Sequence, residues 1–147
     1  MKKAVLKPGK EVSLLRKHPW VFSGAIQELD DAFVGDWVQV YDSRNKLLGT
    51  GQVGDGSIAI RMLAFEAIDP NVDFWKSKLQ ACHQLRQHLG FGPNKPTNSY
   101  RLVHGEGDNL PGLIIDIYND CAVIQAHSLG MYNSIKDRKS TRLNSSH

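Results

Sequence analysis

Lys7, Lys10, Arg16, Lys17 and His18 crowd one short stretch, just ahead of Trp20 and Phe22. Lysine and arginine supply affinity for phosphate, and an aromatic or backbone ledge beside them can meet an unpaired base. That grouping marks Lys7, Lys10, Arg16, Lys17 and His18 as candidate RNA-binding residues. The competing reading is a solvated basic helix over a core tryptophan, and from the residues alone both stay open. The net charge of +3 hides an uneven pattern: +5 over residues 1–26, −3 over 27–65, +1 over 66–98, −3 over 99–135 and +3 over 136–147. A polyanion contacts a patch, so the N-terminal excess says more than the average does.

Other residue patterns carry less chemistry than they first suggest. Gly49-Thr50-Gly51-Gln52-Val53-Gly54 matches GxGxxG. Such a loop holds a pyrophosphate only between a strand and a helix N-terminus. Here Asp55-Gly56-Ser57 and Ile58-Ala59-Ile60 follow, a turn and then a strand, so a hairpin is expected. Gly105-Glu106-Gly107-Asp108 follows a strand as a methyl-donor loop would, but Asn109-Leu110-Pro111-Gly112 breaks any helix, which makes it a connection. Cys82 sits in an apolar helix stripe and Cys121 opens an apolar strand; both read as buried structural thiols rather than nucleophiles. His83 and His88 point to different sides of one helix. His104, Glu106 and Asp108 could line one face, but they lack a second ligand cluster. There is no GxSxG, Walker loop, HExxH or paired CxxC. No catalytic, metal or cofactor-binding residue is therefore expected on this chain.

The elements that must position these side chains are legible from composition and period. With 147 residues, 41% hydrophobic and 22% charged, the chain can bury a core as one domain or two small ones. No run of about 18 apolar residues occurs, and the start of the chain lacks a signal-peptide core. Two cysteines make no disulfide framework, so the expected setting is a reducing cytoplasm without a membrane partner. Ala4–Leu6 reads as a strand. Lys10–Lys17 reads as a short helix stopped by Pro19, with Val12 and Leu15 inward and Lys10, Ser13 and Lys17 outward. Trp20–Ile26 is extended, and Trp37–Tyr41, Leu47–Val53 and Ile58–Leu63 are strands parted by turn-forming residues. Together they suggest a small β-barrel ending near residue 68. Asp69-Pro70-Asn71 opens a helix to Leu89 whose apolar stripe is Val72, Phe74, Trp75, Leu79, Cys82, Leu85 and Leu89. A linker over 93–99 and the strands Tyr100–His104, Leu113–Tyr118 and Cys121–Ala126 follow. The polar, aperiodic run over 136–147 resembles translated adapter sequence and is read as a non-native tail.

Three stretches taken together resemble one family. They are Leu6-Lys7-Pro8-Gly9-Lys10-Glu11, the run from Leu14 through His18-Pro19-Trp20-Val21-Phe22-Ser23-Gly24 to Ile26, and the run from Tyr100 through His104-Gly105-Glu106 and Leu110-Pro111-Gly112-Leu113 to Asp116. This pattern is similar to the class I S-adenosylmethionine-dependent rRNA methyltransferases that begin with a PUA domain, such as those making 5-methylcytosine in large-subunit (23S) rRNA. The resemblance covers residues 1 to about 135. It implies an α+β fold: a PUA-like β pseudo-barrel over 1–70 that holds RNA, a helix and linker over 71–98, and an incomplete small α/β middle domain over 99–135. It also implies, for the full-length family, a Rossmann-like domain with the methyl donor and a cysteine that adds to cytosine C6 to activate C5. No acidic-GxGxG loop occurs in this sequence, and neither Cys82 nor Cys121 matches that cysteine. The expected function is thus the RNA-binding part of an rRNA methyltransferase, inactive alone, with S-adenosylmethionine needed only by the full-length enzyme. Two alternatives are a stand-alone PUA-type RNA-binding adaptor in ribosome biogenesis, and a protein-docking piece using the Phe74, Trp75, Leu79 and Leu85 stripe.

Overall fold

A computed structural model describes residues 1–92 and 95–136. The strands are β1 (Lys2–Leu6), β2 (Trp20–Phe22), β3 (Ile26–Leu29), β4 (Trp37–Tyr41), β5 (Leu47–Val53), β6 (Ile58–Ala64), β7 (Ser99–His104), β8 (Leu113–Tyr118) and β9 (Cys121–Ala126). The helices are α1 (Val12–Leu15), α2 (Val72–His88) and α3, whose described part is 129–136. The tail expected over 136–147 lies, apart from Lys136, outside the described residues, as do residues 93 and 94 of the expected linker. The class is α+β, as the sequence led one to expect.

Six strands form one sheet in the order β2-β6-β5-β4-β1-β3. Its two edges, β2 and β3, are consecutive in the chain and separated only by the 3-10 turn Ser23–Ala25. The four residue steps from Phe22 to Ile26 reach at most about 14 Å. Five interstrand spacings of a flat sheet would need about 24 Å. The sheet must therefore curl until its edges approach, which makes it a pseudo-barrel. At the closure Lys7 N–H donates to Ala25 C=O and Ser23 N–H to Ser57 C=O, both at 2.9 Å. Inside lie Ala4, Leu6, Val38, Val40, Ile60 and Met62, each 1% exposed or less. The GxGxxG run is a strand: a Cβ on Gly51 would stand 2.6 Å from the Arg61 carbonyl oxygen, so glycine there lets β5 and β6 approach at a bulge.

The helix expected over Lys10–Lys17 is shorter, and its inward residue is different. Only Val12–Leu15 is helical, and Leu14 is the residue that enters the barrel core. Val12 and Leu15 are 45% and 60% exposed. A single turn is oriented by its flanking loops, so a helical-wheel stripe has no length over which to assert itself.

Successive β6 residues face opposite ways, Met62 into the barrel and Leu63 out of it. Leu63 and Trp37 join Trp75 and Cys82 of α2, Val103, Leu113 and Ile115 of the second sheet, and Met131 in another core. The Trp37 ring stands edge-on to Trp75 at 6.2 Å and to Phe74 at 6.4 Å. Asn71 caps α2 by accepting the Phe74 N–H at 2.9 Å. Trp75 and Cys82 are buried, while Val72, Leu85 and Leu89 of the expected stripe are exposed. Only the central part of that stripe meets the second sheet.

This second sheet runs β7-β8-β9, antiparallel throughout, with β9 at an edge. Cys121 is exposed, contrary to the buried thiol expected. Its strand is exposed from Cys121 to Gln125, so an apolar sequence there does not signal burial. Burial pushes the Cys82 thiol above its ordinary pKa, and the Asp108 carboxylate adds to the effect. Maleimide is therefore expected to label Cys121 within the native protein, with Cys82 reacting at least about tenfold more slowly until denaturant is added. Mass spectrometry of the labelled peptides reads the difference. Among the described residues no helix is long and apolar enough to cross a membrane.

Candidate nucleic-acid interface

The loop between β1 and β2 builds the basic site in two steps. Lys7-Pro8-Gly9-Lys10 is a tight turn, with Lys10 N–H donating to Lys7 C=O at 3.0 Å. Proline fixes the first central φ and Gly9 takes φ +82°, the pattern of a type II turn. Replacing Gly9 by Ala forces a side chain into the left-handed region and is expected to cost about 1–2 kcal/mol, read by urea unfolding. One helical turn follows. Its end is a Schellman motif: Lys17 N–H donates to Leu14 C=O and His18 N–H to Ser13 C=O, both at 2.9 Å. The stop is thus Lys17, two residues before Pro19.

Lys17 occupies, with φ +66°, the left-handed position that glycine usually takes. Strained non-glycine residues of this kind persist where a side chain is wanted. Lys17→Gly is expected to raise stability by about 0.5–1 kcal/mol while weakening RNA binding. Opposite signs in a denaturation curve and a binding isotherm check this.

Lys10, Ser13, Arg16, Lys17 and His18 line one open groove of about 640 Å³. Lys7 does not line it; it sits at the preceding turn, with its side chain exposed. All five candidate residues are exposed, and among the described residues none forms an ion pair with a carboxylate. The remaining N-terminal cations do not line the groove. Lys2 lies over the Phe33 ring at 5.6 Å and Lys3 over Tyr41 at 4.4 Å, on the barrel wall. Ser13 belongs to the groove although sequence reasoning placed it only on the outward side of the helix.

Beside the groove runs a ladder of rings. His18 meets Trp20 edge-on at 6.0 Å, and Trp20 meets Phe22 edge-on at 6.3 Å. His18 Nδ1 accepts the Trp20 backbone N–H at 3.3 Å, so Nε2 is the ring nitrogen left to donate to a ligand. Trp20 is partly buried with its indole nitrogen enclosed, so it serves as a wall; Phe22 is 49% exposed.

The second glycine-rich stretch is otherwise committed. Gly105–Asp108 forms a 3-10 turn, and Asn109 leaves it in the left-handed region. Asp108 accepts from Arg86 and from His104 N–H, both at 2.6 Å, and Glu106 accepts from Gly112 N–H at 3.1 Å. With both carboxylates already hydrogen-bonded to groups of the chain itself, these residues do not fit a methyl donor's ribose. Among the described residues no cluster of three His, Cys, Asp or Glu side chains is placed to hold a metal.

Comparison with known proteins bears on the fold of this chain. Residues 4–65 match the family model described as a PUA-like domain. Ribosomal RNA large subunit methyltransferase I of Alteromonas mediterranea is 42% identical over 130 residues, which are 86% of this chain and 32% of that protein. Its Erwinia tasmaniensis namesake is 41% identical over 131 residues, with the same coverages. A Streptococcus mutans protein provisionally described as a SAM-dependent methyltransferase superposes with a TM-score of 0.78 at 23% identity, over 93% of this chain and 35% of that one. A similar structure holding SAH gives 0.79 at 23% identity, with the same coverages. The structural likeness speaks to the fold. The curled N-terminal sheet is similar to PUA-like domains over residues 4–65, and the whole chain spans about a third of the length of the ribosomal RNA large subunit methyltransferases it is similar to.

Proposed function

We propose that this chain is the RNA-binding part of a SAM-dependent ribosomal RNA methyltransferase acting at cytosine C5 of large-subunit rRNA in the cytoplasm. The observation that carries this reading is the groove in which Lys10, Arg16, Lys17 and His18 converge without carboxylate partners among the described residues. Lys7, Lys10, Arg16, Lys17 and His18 hold phosphates, Trp20 anchors the wall, and residues 1–70 are the binding domain. Residues 71–98 and 99–135 form the connecting helix with its linker and the start of a middle domain. Similarity to large-subunit rRNA methyltransferases supports the choice of substrate class and methyl donor. Methyl transfer itself is assigned to the parts of such enzymes that lie outside this chain. The full chain is expected to bind fluorescein-labelled single-stranded RNA of about 12 nucleotides. Four or five phosphate contacts give a slope of log K against log salt near about −3. A slope near zero, or no binding at low salt, overturns the reading.

A further inference from the structure

Lys17 lines a second cavity of about 430 Å³ at the seam between the barrel and α2. Phe65 and Glu66, just past β6, form one wall; Phe74 and Lys78 of α2 and Asn109 form the other. Both lysines lie over rings, Lys17 Nζ 5.0 Å from the Phe65 centroid and Lys78 Nζ 5.7 Å from the Phe74 centroid. Such contacts aim an ammonium group and restrict its motion, so less entropy is lost when an anion docks. Lys78 is also partly withdrawn from solvent, and this burial lowers its pKa despite the opposing influence of Cys82 and Glu66. An ammonium group in such a place gains more from an incoming anion than one in open water. Glu66 is exposed and is the single carboxylate among the described residues that line the seam.

We infer that a single-stranded RNA bound in the groove between β1 and β2 continues past Lys17 into the seam, where Lys78 holds a further phosphate and Glu66 limits the affinity. The continuity is physical, because Lys17 lines both cavities. The occupant is a polyanion by charge complementarity, since two lysines face one carboxylate. This inference rests on the reading above, which assigns RNA to the first groove.

The test uses the full chain and the same labelled RNA of about 12 nucleotides. Lys78→Gln is expected to weaken binding about three- to tenfold at low salt and to make the salt slope shallower by about 0.7. Lys78→Arg keeps the charge and should restore both. Glu66→Gln should tighten binding about two- to fivefold, a gain that loss of folding cannot imitate. If Lys78→Gln and Glu66→Gln leave affinity and slope unchanged while Arg16→Glu weakens binding, the seam does not hold RNA and the first groove does. If Arg16→Glu also has no effect, both readings fall. Circular dichroism accompanies each variant, and should Lys78→Gln not fold, the Glu66→Gln result alone decides.

Discussion

Reversing Lys10, Arg16 and Lys17 to Glu together is expected to lower affinity for single-stranded RNA by about two to three orders of magnitude at low salt. Each lost phosphate contact is worth about 0.7 in the salt exponent, which at about 50 mM salt is nearly tenfold in affinity. Three reversals therefore also flatten the slope by about 2. The variant should fold, because all three side chains are exposed and none belongs to the barrel core; Lys17 alone lies over a ring, that of Phe65 at the rim of the core. Surface changes of this kind usually shift stability by only about 0.5 kcal/mol each. The same reversals in Lys2 and Lys3, which lie against Phe33 and Tyr41 on the barrel wall, should cost much less affinity. A fall in affinity with no change in slope would mean that the charges act on the fold and not on phosphate.

The largest effect on stability is expected at Arg86. Its Nη2 lies 2.6 Å from Asp108 Oδ2, and the two side chains are only 13% and 6% exposed. Arg86 Nε also donates to the Arg101 carbonyl at 3.0 Å, and the Asp108 oxygen also receives His104 N–H at 2.6 Å. One ion pair thus ties α2 to β7 and to the turn after it. Removing one partner of a buried pair leaves a charge without compensation and costs about 3–5 kcal/mol. Arg86→Ala should therefore remove a large part of the stability of a chain this size, as read by urea unfolding. Asp108→Asn keeps the shape and the acceptor for His104 N–H, so it should cost less. Replacing both partners with apolar residues of similar volume, Arg86→Met with Asp108→Leu, should recover part of the loss. Arg101–Asp116, the other pair among the described residues, is a cross-strand contact with Arg101 43% exposed. Its removal should cost far less, because an exposed pair gains little in the high dielectric of water.

What the sequence reveals and what it conceals divide along the range of the interactions. The strands Trp37–Tyr41, Leu47–Val53, Leu113–Tyr118 and Cys121–Ala126 are readable to the residue, because Asp42–Asn45, Gly54–Ser57 and Asn119-Asp120 encode their turns locally. Asn71 as the cap of α2 is equally local. Strand order is not local. The parallel pairing of β1 with β4, and the sharing of Leu63 and Trp37 between barrel and helix, join residues far apart in the chain. Cys121 looks buried by composition and is exposed, because its strand lies at a sheet edge. The basic groove falls between these cases. Its cations are adjacent in sequence, but their convergence depends on the left-handed turn at Lys17, which no residue pattern announces because lysine rarely adopts it. Lys78 and Phe65 gave no sequence signal at all, since only the docking of α2 on the barrel brings them to one cavity.

The central claim, that RNA lies in the groove between β1 and β2, is tested most directly by amide chemical-shift changes as single-stranded RNA is added to the isotopically labelled chain. The account expects the largest changes at Lys10, Ser13, Arg16, Lys17 and His18, with smaller ones at Phe22, and expects them to collapse at high salt. Changes confined to β7, β8 and β9 with those five amides unmoved would contradict it.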